Sequence, residues 1–201
     1  MKKFLLLVTL IIFNSNLKAE EKKAYFAGGC FWCMEESFDQ VKGVKSVVSG
    51  YSGGHLKNPT YADVIYTDSG HVEAVEITYD SSLVNYEELL DVYWQNIDPF
   101  DAEGQFCDKG KSYRSVIFYE NENQKKIIDN SFKNLQKKFD KKIVTLVWDF
   151  EKFYPAENYH QDYYELNPGN PYIINIAKPK VKKLYKNYPS LIKDKYKGEG
   201  L

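Results

Sequence analysis

Ala24-Tyr25-Phe26-Ala27-Gly28-Gly29-Cys30-Phe31-Trp32-Cys33-Met34 joins an apolar strand to a helix through two glycines and sets a cysteine at the joint. Residues 24–27 read as a strand, and Gly28 and Gly29 permit a sharp turn. Residues 34–38 have helical character, with Met34 and Phe38 four apart. A cysteine at a helix start faces backbone N–H groups that the helix itself leaves free. Those donors and the helix dipole favour thiolate over thiol. The stretch therefore predicts strand, turn and helix with a reactive thiol, Cys30, at the turn; the competing reading is a buried structural cysteine.

Outward from this joint, residues 44–48 and 72–79 read as strands on either side of a turn-rich segment at 52–59. Asn85, with Glu88 three residues on, predicts a capped helix through Trp94. A long loop at 98–112 leads into a strand at 113–119, an amphipathic helix at 123–139 and a strand at 143–150. The chain ends in short helical pieces separated by Pro155, Pro168, Pro171 and Pro179. Strands and helices in irregular order predict an α+β domain with a mixed sheet.

Period two along 72–79 puts Glu73 on the face of Val75, Ile77 and Tyr79, with Glu76 on the other. On a core face, desolvation would keep Glu73 protonated near neutrality, which suits a hydrogen-bond donor or general acid; at a strand end it could equally reach water. The 98–112 loop exceeds the usual connection length. It carries Cys107 and Asp108 and leads to Tyr113 and Arg114. Arg114 is the only arginine among 27 basic residues, which points to a need for the planar guanidinium fork, to clamp a carboxylate or loop carbonyls.

Three histidines complete the inventory. His71-x-Glu73 and Cys30-x-x-Cys33 carry pieces of a zinc deaminase signature in the wrong order. His55 falls in a turn and is expected to face solvent. His160, among aromatics, is expected to be a hydrogen-bonded structural residue, and a structural zinc site is disfavoured because only one close cysteine pair exists.

Residues 1–19 read as an export signal: Lys2 and Lys3, an apolar run over 4–13, and Leu17-Lys18-Ala19 before the expected cleavage. The run is short of the about 20 residues a membrane span needs. Its removal takes away three lysines and no acid, moving the net charge from −1 to −4 and arguing against a polyanion partner. The Lys-rich end, 178–197, is expected to be a solvated helix face. The remaining residues, 20–201, suit one domain. Three cysteines are an odd count for an exported protein and leave at least one thiol free.

Six segments, in order, resemble peptide methionine sulfoxide reductase A: Gly29-Cys30-Phe31-Trp32; Gly53-Gly54-His55 to Asn58-Pro59-Thr60-Tyr61; Gly70-His71-Val72-Glu73; Asp98-Pro99; Tyr113-Arg114-Ser115; and Glu157-Asn158-Tyr159-His160-Gln161. The resemblance spans residues 24–168. It implies reduction of the S epimer of methionine sulfoxide, free or in proteins, on a two-layer sandwich with a ferredoxin-like core. By position, Cys30 matches the nucleophile, Phe31 and Trp32 the aromatic wall for the substrate methyl, and Glu73 the acid. Tyr61 and Tyr113 match assisting hydroxyls, and Asp108 a supporting carboxylate. It implies no metal or bound cofactor, but an external dithiol reductant such as a thioredoxin-like protein, periplasmic if the protein is exported.

Two departures bear on recycling. Cys33 stands where the family has glycine, and the C-terminal tail lacks the family's resolving cysteines. The sulfenic acid must then be resolved by Cys33, Cys107, both in relay, or an outside thiol. The rival reading, a thioredoxin-type oxidoreductase using Cys30-x-x-Cys33, lacks the expected βαβ pattern.

Overall fold

The protein was analysed as a computed structural model that describes residues 20–197. The segment read as an export signal lies outside the described residues. β1 (Glu21–Gly28) runs into α1 (Phe31–Asp39), followed by β2 (Val44–Ser52), α2 (Tyr61–Tyr66), β3 (Val72–Asp80) and α3 (Tyr86–Asn96). A ribbon of two short strands, β4 (Gly104–Gln105) and β5 (Asp108–Lys109), precedes β6 (Ser115–Tyr119), α4 (Glu122–Gln136), β7 (Leu146–Asp149) and β8 (Phe153–Pro155). α5 (Tyr163–Leu166), a π-helical turn (Ile173–Ala177) and α6 (Lys178–Asn187) close the fold.

Six strands form one sheet in the order β7-β6-β1-β3-β2-β8. β1 is antiparallel to both β3 and β6, β2 is antiparallel to β3 and β8, and β6 and β7 are parallel. The α+β architecture with a mixed sheet is thus as expected. Alternation along β1 divides its side chains between two apolar clusters. Ala24 and Phe26 join α1 and α3 on one face, and Tyr25 and Ala27 join Val116, Phe118, Trp148, Phe150 and Phe153 on the other. Phe26, Phe38, Leu89, Leu90 and Tyr93 are fully enclosed. Such burial contributes about 1.5–3 kcal/mol for a large apolar side chain.

The Asn85 cap forms as predicted: its side chain accepts from Glu88 N, and Glu88 reaches back to Asn85 N, both at 2.9 Å. Several boundaries differ from the sequence reading: β1 and β2 are longer, running Glu21–Gly28 and Val44–Ser52, α4 ends at Gln136, and the helix Tyr61–Tyr66 is unexpected. Tyr113 lies in a 3-10 turn, Lys111–Tyr113, so the strand starts at Ser115. The strand expected at 143–150 shortens to Leu146–Asp149, because it has only β6 to pair with. Phe153–Pro155, expected among helical pieces, is the edge strand β8, where a proline's missing N–H is tolerated.

Candidate active site

β1 ends at Gly28, and Gly29 turns the chain with φ +80°, a conformation that glycine adopts freely. A Cβ at Gly29 would lie 2.6 Å from the Gln105 Cβ. Gln105 in turn accepts from Asp98 N (2.7 Å) and donates to Asp98 O (2.9 Å), closing the long loop against the turn. Cys30 is the residue capping α1, and Cys33 N donates back to Cys30 O at 3.2 Å. Cys30 and Cys33 are buried, whereas Cys107 is exposed; all three are free thiols.

The expected ionisation of Cys30 is corrected by its surroundings. Burial, the neighbouring Cys33 sulfur and the Glu73 charge push the Cys30 thiol well above its ordinary value. Its S–H donates to Cys33, which moves Cys33 in the opposite direction. The helix-start donors thus act on a sulfur that desolvation keeps protonated, and the first proton lost by the pair leaves its charge at Cys33.

Glu73 sits on the core face, as period two required, and is 2% exposed. Its Oε2 accepts from Phe31 N at 3.0 Å, so the strand carboxyl is tied to the residue after Cys30. Burial raises its pKa to about 8 against that opposing hydrogen bond, which keeps it neutral at pH 7. Glu76, on the other face, accepts from Tyr25 Oη at 2.9 Å and pairs with Lys23 at 2.7 Å.

Tyr61 and Tyr113 converge on this carboxyl: Tyr113 donates to the Tyr61 hydroxyl, and Glu73 raises both phenols further after burial has done so. Glu157 places Tyr61, accepting from Tyr61 N at 2.9 Å and from Tyr51 Oη at 2.8 Å. Asp108 is linked to the sulfurs through Tyr172. The Tyr172 hydroxyl donates to Asp108 Oδ2 at 2.5 Å, and Cys33 Sγ lies 3.8 Å from that hydroxyl. Cys107 Sγ lies 3.9 Å from the same Asp108 oxygen. Cys30, Cys33, Glu73, Tyr61, Tyr113 and Asp108 are therefore in one neighbourhood, with Cys107 at its outer rim.

Phe31 and Trp32 form an aromatic wall. Trp32 stacks on Tyr163 at 3.7 Å and 8°, and the His160 ring lies 4.9 Å from Phe31 and 4.6 Å from Tyr61. Tyr163 follows Asp162, a left-handed residue at φ +53° whose N–H donates to Glu35 Oε1 at 3.1 Å; the other Glu35 oxygen accepts from Ser49 Oγ at 3.0 Å. His160 departs from expectation. It is buried, but neither ring nitrogen has a partner among the described residues, and burial lowers its pKa.

The remaining candidates have local roles. His71 accepts from Gly54 N through Nδ1 (3.1 Å) and donates from Nε2 to Leu56 O (2.8 Å), bracing a turn rather than facing Glu73's partners. Among the described residues, no group of three or more His, Cys, Asp or Glu is placed to hold a metal ion. Arg114 clamps a loop carbonyl, Lys111 O, at 3.0 Å and lies over Trp148. Sequence reasoning missed Tyr172, Tyr163, Glu157 and Glu35. Only Glu157 carried a signal, as part of a segment in the family resemblance.

The sequence model of the peptide methionine sulfoxide reductase family matches residues 22–191. Peptide methionine sulfoxide reductase MsrA of Listeria monocytogenes serotype 4a (strain HCC23) is 54% identical over 150 residues, covering 74% of this chain and 85% of that protein. The MsrA of Saccharolobus solfataricus is 46% identical over 170 residues, covering 85% of this chain and 96% of its own. The crystal structure of reduced Mxr1 from Saccharomyces cerevisiae superposes with a TM-score of 0.71 at 27% identity, over 78% of this chain and 92% of that one. The chain belongs to the peptide methionine sulfoxide reductase A family, and its activity is the reduction of methionine sulfoxide.

Proposed function

We propose that the chain reduces the S epimer of methionine sulfoxide, free and in proteins, by attack of Cys30 on the sulfoxide sulfur. The observation that carries this reading is the neutral carboxyl of Glu73, enclosed with Cys30 and fixed by the Phe31 N–H. Phe31 N occupies Oε2 as an acceptor, which leaves Oε1 to carry the acid proton. A sulfoxide oxygen is a poor leaving group until it is protonated, and a dry site makes each donor count for more. Glu73 lends a proton to the oxygen, Tyr61 and Tyr113 donate to it, and Phe31 and Trp32 hold the methyl. Oxygen is transferred to Cys30 as S–OH, the thiol supplies the balancing hydrogen, and methionine leaves with its sulfur reduced by two electrons.

Cys33 then displaces water from the Cys30 sulfenic acid, forming the Cys30–Cys33 disulfide. Its adjacency to Cys30 supports this order, and the exposure of Cys107 supports a second exchange: the Cys107 thiolate attacks Cys33, releasing Cys30 and carrying the disulfide outward. A thioredoxin-like dithiol completes the cycle; Mxr1, the yeast relative above, has also been crystallised in complex with Trx2. Export, with a periplasmic location, is our reading of residues 1–19. We also read β6-β1-β3-β2, with α1 and α3 as crossovers, as a ferredoxin-like core, a reading supported by that strand order.

The test is one equivalent of each sulfoxide epimer given to wild type, Cys30→Ser, Cys33→Ser and Cys107→Ser, with methionine yield and disulfide mapping by mass spectrometry. Expected are S-epimer consumption, no methionine from Cys30→Ser, and a trapped sulfenic acid in Cys33→Ser. Methionine formation by Cys30→Ser overturns the nucleophile, and a lasting wild-type sulfenic acid without a disulfide overturns internal resolution.

A further inference from the structure

Cys107 is the one exposed thiol, and its setting is built of unusual parts. Phe106, beside it, is 46% exposed and holds φ +53°, a left-handed conformation that strains a bulky residue. The Phe106 ring forms one wall of a groove of about 220 Å3, lined also by Gln95, Ile176, Pro179, Lys180 and Lys183. The volume is below what small-molecule sites enclose, roughly 300–1,000 Å3, so the groove fits part of a larger contact.

Its charge is one-sided. α6 holds Lys178, Lys180, Lys182, Lys183 and Lys186 and no acid. The sequence pattern predicts a solvated face here, yet Lys180 is 8% exposed, with its ammonium 4.1 Å above the centre of the Phe106 ring. Among the described residues, neither Lys180 nor Lys183 enters an ion pair with a carboxylate. Burial and the Asp108 charge hold the Cys107 thiol above its ordinary value, and the Lys180 charge opposes them; at Cys33 it adds to the larger effect of the hydrogen bond from Cys30, which lowers that thiol. An unpaired cation beside an apolar groove and an exit sulfur suits an incoming anion on an apolar protein face.

We propose that this groove, with Phe106, Lys180 and Lys183 at its rim, is the docking face for the protein dithiol that reduces the enzyme, a partner whose attacking cysteine sits in an apolar patch flanked by carboxylates. The inference rests on the relay through Cys107. The donor's thiolate attacks Cys107 of the Cys33–Cys107 disulfide, forming an intermolecular S–S bond and releasing Cys33 as thiolate. The donor's second thiol, as thiolate, then attacks its own bridged sulfur and releases Cys107. Cys33 and Cys107 take up two electrons and two protons, and the donor leaves as a disulfide.

The experiment uses the full chain with saturating L-methionine-S-sulfoxide and two reductants: purified thioredoxin, kept reduced by NADPH and its reductase, and dithiothreitol. Phe106→Asn removes the ring while keeping a residue that accepts φ > 0, and Lys183→Glu inverts a rim charge. Both should raise KM for thioredoxin tenfold or more and leave dithiothreitol turnover within twofold of wild type. Lys183→Glu should also flatten the fall of kcat/KM with added salt that steering across a charged rim produces. Unchanged KM for thioredoxin in both variants overturns the docking face, as does an equal loss with both reductants. A wild-type dimer that Phe106→Asn dissociates also overturns it, by assigning the face to a second copy. Cys107→Ser separates the two levels: wild-type thioredoxin turnover in that variant breaks the relay itself, whereas its loss beside intact Phe106→Asn kinetics breaks only the docking face.

Discussion

Replacing Glu73 with Gln isolates the proton donor from the architecture that holds it. Gln keeps an oxygen to accept from Phe31 N, so the 3.0 Å tie to the nucleophile's neighbour survives while proton transfer is lost. General acid catalysis contributes about 10²–10⁴, which sets the expected loss in the rate of methionine formation. The pH dependence adds a sharper signature. Glu73 titrates at about 8 and the Cys30 thiol lies well above its ordinary value, so the reactive pairing of thiolate with neutral acid is reversed from the dominant state. Its population rises about tenfold per pH unit up to about 8, stays level until the thiol itself ionises, and then falls. In Glu73→Gln the thiolate population alone remains and rises through pH 8 without a break. Single-turnover quenched flow between pH 6 and 10, with one equivalent of L-methionine-S-sulfoxide, reads both effects. A variant within tenfold of wild type at pH 7, or one that keeps the break near 8, refutes the acid assignment.

The same carboxyl has a stability consequence. Its folded value lies above its unfolded one, so its contribution is full below pH about 4.5. It is lost at on the order of 1.4 kcal/mol per pH unit toward pH 8; the Tm difference between Glu73→Gln and wild type should widen over that range. Glu35→Ala removes acceptors from Ser49 Oγ and Asp162 N, which should cost about 1–3 kcal/mol in urea unfolding. It should also raise KM by loosening the Tyr163 support of Trp32, whereas Glu35→Gln restores both; an unaltered KM in the alanine variant removes Glu35 from substrate positioning. Asn85→Ala should cost about 1 kcal/mol of stability with normal turnover, and a loss of turnover at full occupancy of the folded state would contradict a purely local capping role.

Local rules reached far in this chain because several site residues announce themselves through short-range pattern. A carboxyl out of phase on a strand identified Glu73, a cysteine after paired glycines identified Cys30, and Asn85 with Glu88 fixed a helix start. The ionisation of Cys30 escaped the same rules because helix-end donors are local, whereas the burial that outweighs them is assembled from distant elements. Tyr172 meets Cys33 across 139 residues and Asp108 across 64, from a segment whose prolines hide any period. Tyr61 is one tyrosine among 17, and only kinship distinguished it. β8 has three residues, too few for alternation to register.

Gly29 is where the turn that carries Cys30 and the loop that carries Cys107 are mechanically joined. Its missing methyl group admits Gln105 against the turn that presents Cys30, and Gln105 fastens the loop from which Cys107 is displayed. Any side chain there would push the Cys107 loop away from the Cys30 turn. In the relay proposed above, the spacing between the first and last thiols is thereby gauged by a hydrogen atom.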